Sequence, residues 1–242
     1  DRVRADLSTL INNAADSIYI IDPTFNLPVE RCLQICRILR ELNRQPRKKI
    51  FVEVKAEFID ASMADAFIEA GISAVEVGLQ SVNPAALALM GRKFDPDAFT
   101  RGMLLLRERG IWANIGVIAG LPGDTVEQFE QTVRFVSGQG LGRLLIYPLQ
   151  VFPGCVFHRE AERLGLKYEP APSYRVTETA LISAIKMKQI VDSIPDLVEE
   201  MNQPYLREMS RQVLRKLREI QDAEFGTRGD PGNIFSNHVG GT

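Results

Sequence analysis

Residues 74–84, Ala-Val-Glu-Val-Gly-Leu-Gln-Ser-Val-Asn-Pro, decide how the chain folds. A short β-branched run over residues 74–79 gives way within four residues to Asn83-Pro84, a capping side chain ahead of a proline at the first helical position. Working outward, similar apolar runs stand at residues 18–21, 50–54, 113–119 and 144–151, with helix-period segments between them. Asp95-Pro96 repeats the helix-start signal, and Asp124-Thr-Val-Glu127 has the spacing of a capping box. Strand then helix, repeated, predicts an α/β fold of parallel strands joined by crossovers. Residues 4–16 place Leu7, Leu10, Ile11 and Ala14 at helical spacing, so the array opens on a helix and implies a strand before it. Five strands are too few for a closed eight-stranded barrel, which predicts a partial, open (β/α) barrel or a twisted sheet.

The array occupies residues 1–168, and a linker is expected at 169–176, where Tyr168-Glu-Pro-Ala-Pro-Ser173 breaks the pattern with two prolines. Residues 177–225 read as a helical region of two or three helices broken near Pro195 and Pro204, and residues 226–242 as a glycine-rich flexible tail. Across 242 residues, 45% are apolar and 25% charged, the composition of an ordinary soluble protein, and a net charge of −2 offers no basic footprint for nucleic acid. No apolar stretch approaches a membrane span and the polar start does not resemble a signal peptide, so a cytoplasmic location is expected.

In a parallel array ligands bind at the carboxyl ends of the strands, where loops and helix N-termini converge. Glu53 and Lys55 lie two residues apart on one face of an otherwise apolar strand, either as an internal salt bridge or as a polar ligand site. Lys55, if desolvated, would suit a Schiff base. Gln80 ends its strand beside Ser81. Gly116-Val-Ile118-Ala-Gly120 puts glycines in a strand, which marks either a bulge or a surface for a flat ligand. Gly120-Leu-Pro-Gly123 ahead of Asp124 is a tight turn, either an ordinary loop or an anion cradle. Cys32 and Cys36 are spaced as the first half of a C-x3-C-x2-C loop, but position 39 is Leu39 and both fall on the apolar face of a helix, so they read as core thiols, and Cys155 as structural. His158 and His238 have no partner at ligand spacing, and no metal ligand set is expected within the chain.

Taken in order, Asp22-Pro-Thr-Phe-Asn26, Phe51-Val-Glu-Val-Lys-Ala-Glu57, Val77-Gly-Leu-Gln-Ser-Val-Asn-Pro84, Gly91-Arg92-Lys93, Gly116-Val-Ile-Ala-Gly-Leu-Pro-Gly-Asp-Thr125 and Tyr147-Pro-Leu-Gln-Val-Phe-Pro-Gly154 resemble the radical S-adenosylmethionine (SAM) superfamily. The likeness covers roughly residues 18–165 and is nearest to members with an upstream cobalamin-binding domain, the group of the anaerobic magnesium-protoporphyrin monomethyl ester cyclase. The oxygen-independent coproporphyrinogen dehydrogenase comes next. The resemblance implies a partial barrel that holds a 4Fe–4S cluster and SAM, cleaves SAM to a 5′-deoxyadenosyl radical, and abstracts hydrogen from a small-molecule substrate, with a tetrapyrrole-related one suggested by those members. It further implies an electron donor such as flavodoxin or ferredoxin, and cobalamin through the upstream domain. The family's cluster cysteines precede the point where this sequence starts, so the segment is expected to be inactive alone, to lack its first strand, and through its open edge to self-associate or be only marginally stable.

Position by position, the resemblance puts Glu53, Gln80 and Arg92 at SAM contacts, Arg92 near the SAM carboxylate. Gly116 stands where the coproporphyrinogen enzyme has a ribose-binding aspartate, and the Gly116–Ile118–Gly120 run stands where other members pack on adenine. Asp22 and Thr24 match the region that meets the methionyl amine, without the usual double glycine, and Val151 matches a backbone position that meets adenine. The competing readings are a Schiff-base aldolase-like barrel acting through Lys55, and a non-catalytic module whose C-terminal helices dock on a partner.

Overall fold

The computed structural model describes residues 2–44 and 48–225. Helix α1 (Arg2–Ile11) leads into β1 (Ser17–Ile20), followed by α2 (Val29–Leu42), β2 (Lys49–Val54), a short 3₁₀ turn (Ala56–Phe58), α3 (Ala61–Ala70), β3 (Ile72–Gln80), α4 (Pro84–Leu89) and α5 (Pro96–Glu108). Then come β4 (Trp112–Ala119), α6 (Val126–Gln139), β5 (Arg143–Pro148), α7 (Val156–Arg159), the two short strands β6 (Lys167–Tyr168) and β7 (Val176–Glu178), and α8 (Ala184–Phe225). Strands β1 to β5 form one sheet in sequence order, every pair parallel. This is the open α/β array expected from the strand-helix alternation.

The period of two sorts the strand residues between the faces. On β2, Ile50, Val52 and Val54 are buried toward the helices, as are Val75, Val77 and Leu79 on β3. Against this face pack Cys32, Ile35, Cys36 and Leu39 of α2, Phe67 of α3, Phe99 and Met103 of α5, and Phe129 and Val133 of α6. Cys32 and Cys36 are therefore core residues of an amphipathic helix, at 0% and 2% exposure. Helix α5 approaches the 3₁₀ turn so closely that a Cβ on Gly102 would stand 1.9 Å from the Ala56 carbonyl oxygen, so only glycine fits there.

Asn83 caps α4 and Asp95 caps α5, each ahead of its proline. The capping box before α6 lies one residue further along than the Asp124–Glu127 spacing suggests. The Thr125 hydroxyl accepts the Gln128 N–H, and the Gln128 side chain accepts the Thr125 N–H. Asp124 is drawn inward instead, at 1% exposure, where it bonds to Ser81 and Asn83.

The C-terminal region also differs from the sequence expectation. Residues 169–176, expected as a linker, connect β6 to β7 and bond back to the loop after β5: the Val151 N–H donates to the Tyr174 carbonyl at 2.8 Å, and the Val176 N–H to the Leu149 carbonyl at 2.8 Å. Beyond them α8 runs as one helix with Pro195 and Pro204 inside it. An interior proline removes one backbone bond and bends a helix, but the chain stays helical where an apolar face continues to be buried. Here Met187, Ile190, Ile194, Leu197, Val198 and Met201 pack on the barrel core on either side of Pro195. Asn202, buried on the same helix, pairs its amide with strand β5, accepting the Leu144 N–H at 2.7 Å and donating to the Leu144 carbonyl at 3.0 Å. The β5 edge is thereby closed by a side chain, whereas β1 has no neighbouring strand on its outer side among the described residues. The expected tail, residues 226–242, lies outside the described residues. Among the described residues no helix is long and apolar enough to cross a membrane.

Candidate functional site

The second face of the sheet carries the polar side chains. Tyr19 projects from β1, Glu53 from β2, Glu76 from β3, Gly116 and Ile118 from β4, and Tyr147 from β5, all in phase with one another. Glu53 and Glu76 are register partners on adjacent strands. Tyr19, stacked on Phe51 at 6.4 Å between centroids, reaches across β2, and its hydroxyl lies 3.5 Å from Glu53 Oε1 and 3.3 Å from Glu76 Oε2. Tyr147 reaches across β4 from the other side and donates to Glu76 Oε1 at 3.3 Å. The ring passes over Gly116, where a Cβ would lie in ordinary van der Waals contact with it at 3.5 Å. Glu76 is thus held between two phenols.

A carboxyl partly withdrawn from water beside another carboxylate is disfavoured in its charged form, and Glu53 is so placed. Desolvation, then repulsion from Glu76, pushes the Glu53 carboxyl above its ordinary range, with the Tyr19 hydrogen bond working the other way. Desolvation and the same two carboxylates push Tyr19 up to about 12, and desolvation with Glu76 raises Tyr147. Among the described residues neither Glu53 nor Glu76 has a salt-bridge partner. Glu53 and Lys55, for which the sequence leaves open an internal salt bridge or a polar ligand site, share a face without pairing; Lys55 is fixed through its backbone by the buried amide of Asn26, which accepts its N–H at 3.0 Å and donates to its carbonyl at 2.8 Å.

At the carboxyl end of β3 the backbone is strained. Gln80 has φ +71°, left-handed for a residue with a side chain. It coincides with a register shift between β3 and β4 at Gly78/Gln80. The Gln80 amide folds back over Gly78: a Cβ at Gly78 would stand 2.5 Å from Gln80 Nε2 and 3.8 Å from an Arg92 guanidinium nitrogen. Arg92 itself donates to the Gly78 carbonyl at 2.7 Å. Burial lowers the Arg92 guanidinium from its usual value, against the pull of nearby Glu57. Gly78, Gln80 and Arg92 therefore form one unit, and Glu53, Gly116 and Ile118 share its face of the sheet.

The other residues singled out from sequence are placed differently. Asp22 is bonded to Arg31 of α2 at 2.6 Å and accepts the Thr24 N–H at 3.2 Å. Burial opposes its charge, yet these partners hold its carboxyl below the usual range. The Thr24 hydroxyl donates to the Pro23 carbonyl. Gly120, at φ +86°, lies under α8, where a Cβ would meet the Met187 methyl at 2.8 Å. Val151 is fully buried and its N–H is spent on Tyr174. Asp124 latches two strand-end loops together, accepting from Asn83 Nδ2 at 2.8 Å and from the Ser81 hydroxyl at 3.4 Å, while Asn83 Nδ2 also donates to the Gly123 carbonyl at 2.9 Å. Desolvation raises the Asp124 carboxyl, against these hydrogen bonds. The Cys155 sulfur accepts the His158 N–H as the cap of α7.

Glu76, Tyr19 and Tyr147 are the residues that sequence reasoning passed over. The signal for Glu76 was present, because Val75-Glu-Val77 repeats the Val52-Glu-Val54 pattern that singled out Glu53.

The radical SAM superfamily model matches residues 3–136, and the chain belongs to that superfamily. It is 27% identical over 97 residues to an oxygen-independent coproporphyrinogen III oxidase of Paracoccus denitrificans, covering 40% of this chain and 22% of that protein. It is 31% identical over 98 residues to protein YhcC of Escherichia coli, covering 39% and 32%. Among solved structures it superposes on the radical SAM methyltransferase TsrM of Kitasatospora setae, described with cobalamin and a 4Fe–4S cluster bound, with a TM-score of 0.60 and 20% identity over 76% of this chain and 38% of that one. The coproporphyrinogen III oxidase of Escherichia coli gives a TM-score of 0.55 at 21% identity, over 73% of this chain and 38% of that one. Those two likenesses establish the fold. The segments matched amount to between about a fifth and two fifths of these proteins' lengths.

Proposed function

We propose that this chain is the SAM-orienting part of a radical SAM enzyme that abstracts hydrogen from a small molecule. Bound SAM, cleaved reductively at an iron–sulfur cluster, supplies a 5′-deoxyadenosyl radical. The chain's own contribution is positional. Gln80 and Arg92 would meet the polar groups of SAM at the end of β3, Glu53 would accept a hydrogen bond on the neighbouring strand, and Ile118 with the Gly116 backbone would bound its flat face. The observation that carries this reading is the strained Gln80 amide folded over Gly78 beside Arg92. A non-glycine residue is kept in a left-handed conformation at a strand end, where the surrounding structure must hold it.

The cysteines present do not fit the cluster. Cys32 and Cys36 are spent in the core of α2 and Cys155 on the cap of α7. The cluster ligands in this proposal lie outside the chain, as does any cobalamin-binding domain, and the electron comes from a flavodoxin or ferredoxin. The Schiff-base alternative needs a lysine withdrawn from water, and Lys55 is only half-buried. The docking-module alternative loses force because the first half of α8 already packs on the barrel.

The test is anaerobic cluster reconstitution of the longest natural protein containing this segment, reduction with dithionite in the presence of SAM, and chromatography for 5′-deoxyadenosine. Formation of 5′-deoxyadenosine supports the proposal. A reconstituted cluster that leaves SAM intact refutes it.

A further inference from the structure

Only two non-glycine residues among those described adopt a left-handed backbone, Gln80 and Tyr174. The first belongs to the site above. The second, at φ +50°, belongs to a different place, the wall of a cleft of about 440 Å³ between the loop after β5 and the β6–β7 hairpin. The cleft is lined by Pro153, His158, Tyr168, Pro170 and Tyr174. Phe152 stands edge-on to Tyr174 with centroids 5.9 Å apart, and His158 is tilted against Tyr168 at 6.2 Å.

The backbone of Tyr174 is pinned on both sides. Its N–H donates to the Ala171 carbonyl at 2.9 Å and its carbonyl accepts the Val151 N–H at 2.8 Å, while Gln150 Nε2 holds the preceding Ser173 carbonyl at 2.8 Å. Glycine would satisfy this conformation without strain, so the tyrosine side chain is retained against a stability cost. Two prolines stiffen the walls, which preorganises the cleft. Neither the Tyr168 nor the Tyr174 hydroxyl, nor the His158 imidazole, has a hydrogen-bond partner among the described residues. Flat, stiff walls with three hydrogen-bonding groups at their edges suit one kind of ligand: stacking and edge-on contact select a planar ring, and the polar groups select heteroatoms on its rim.

We propose that this cleft binds a planar aromatic ring with a polar edge, as a site separate from the one that holds SAM. The cleft is built from the β5 loop and the hairpin and contains none of Glu53, Gln80 or Arg92, so it stands independently of the cofactor reading. Its neighbour Val151 presents no N–H to a ligand there, since Tyr174 already takes it.

The chain has two histidines, which makes the His158 ring resonance easy to follow by proton NMR. The probes are 2-naphthol and its saturated counterpart, decahydro-2-naphthol. The expected result is a saturable shift of the His158 resonance with 2-naphthol and binding roughly tenfold weaker with the saturated probe, the ratio set by aromatic contacts. Tyr174→Gly should unfold at the same or higher temperature and lose the shift. Tyr174→Asn, which tolerates the same backbone, is read alongside it and should lose the shift too, and the two-probe comparison needs no variant. Equal binding of both probes, absence of a saturable shift, retention of binding in a folded Tyr174→Gly chain, or displacement of 2-naphthol by S-adenosylhomocysteine would each overturn the proposal.

Discussion

The two faces of the five-stranded sheet follow different rules. The helix-facing side is an unbroken apolar surface in which Ile50, Val52, Val75, Val77, Ile115 and Val117 are at most 2% exposed. The opposite side, built from the alternate residues of the same strands, carries two adjacent carboxylates, two phenols reaching over neighbouring strands, and a glycine at 78 over which the Gln80 amide folds. The first face lowers the free energy of the folded chain through burial. The second accepts like-charge repulsion and backbone strain at Gln80, which a sheet selected for stability alone would avoid. The difference teaches where to look: the residues that break the local stability rule on the inner face are the candidates for orienting a ligand.

Substitutions on the two faces should therefore differ in size and in kind. The largest effect is expected on the helix side, where Phe67→Ala, at 0% exposure, should cost about 3–5 kcal/mol in urea denaturation. A loss under about 1 kcal/mol would mean that α3 is not part of the same core. Next comes the sheet edge: Asn202→Ala leaves the Leu144 N–H and carbonyl buried without partners and should cost about 1–3 kcal/mol. A smaller change would show that water or another group reaches β5 there. On the inner face the sign should reverse. Glu53 is raised in the folded chain, so it binds its proton more tightly folded than unfolded. Its contribution to stability is present at pH below the ordinary carboxylate range and is lost as pH rises through the raised value. Glu53→Gln should therefore be slightly stabilising at neutral pH and should flatten that part of the pH profile. An unchanged profile would break the link between the paired carboxylates and the fold.

The sequence displayed the helix-side rule well, because it is local. Alternation gave the strands, and Asn83-Pro84 and Asp95-Pro96 gave two helix starts that the structure reproduces. Expectations failed where a tertiary contact outweighed a local signal. Asp124 has capping-box spacing to Glu127, but its carboxylate is bonded to Ser81 and Asn83 on another loop, and Thr125 takes over the cap. Pro195 and Pro204 predict breaks from sequence, yet α8 runs through both, with its face buried on the barrel on either side of Pro195. On the inner face Glu53 and Gln80 were legible as polar groups at strand ends. Tyr19 and Tyr147 were not, because their meeting at Glu76 depends on strand register, which is not local in sequence.

The central claim is that the strained end of β3 exists to hold SAM. Its most direct test is Gln80→Gly in the cluster-reconstituted natural protein, with thermal unfolding and SAM affinity by equilibrium dialysis measured together. Relief of the left-handed strain is worth about 1 kcal/mol, while loss of an amide hydrogen bond to the ligand is worth about 1 kcal/mol or more in binding. The account predicts a variant at least as stable as the parent that binds SAM about fivefold or more weakly. A variant that binds SAM as tightly as the parent would contradict it.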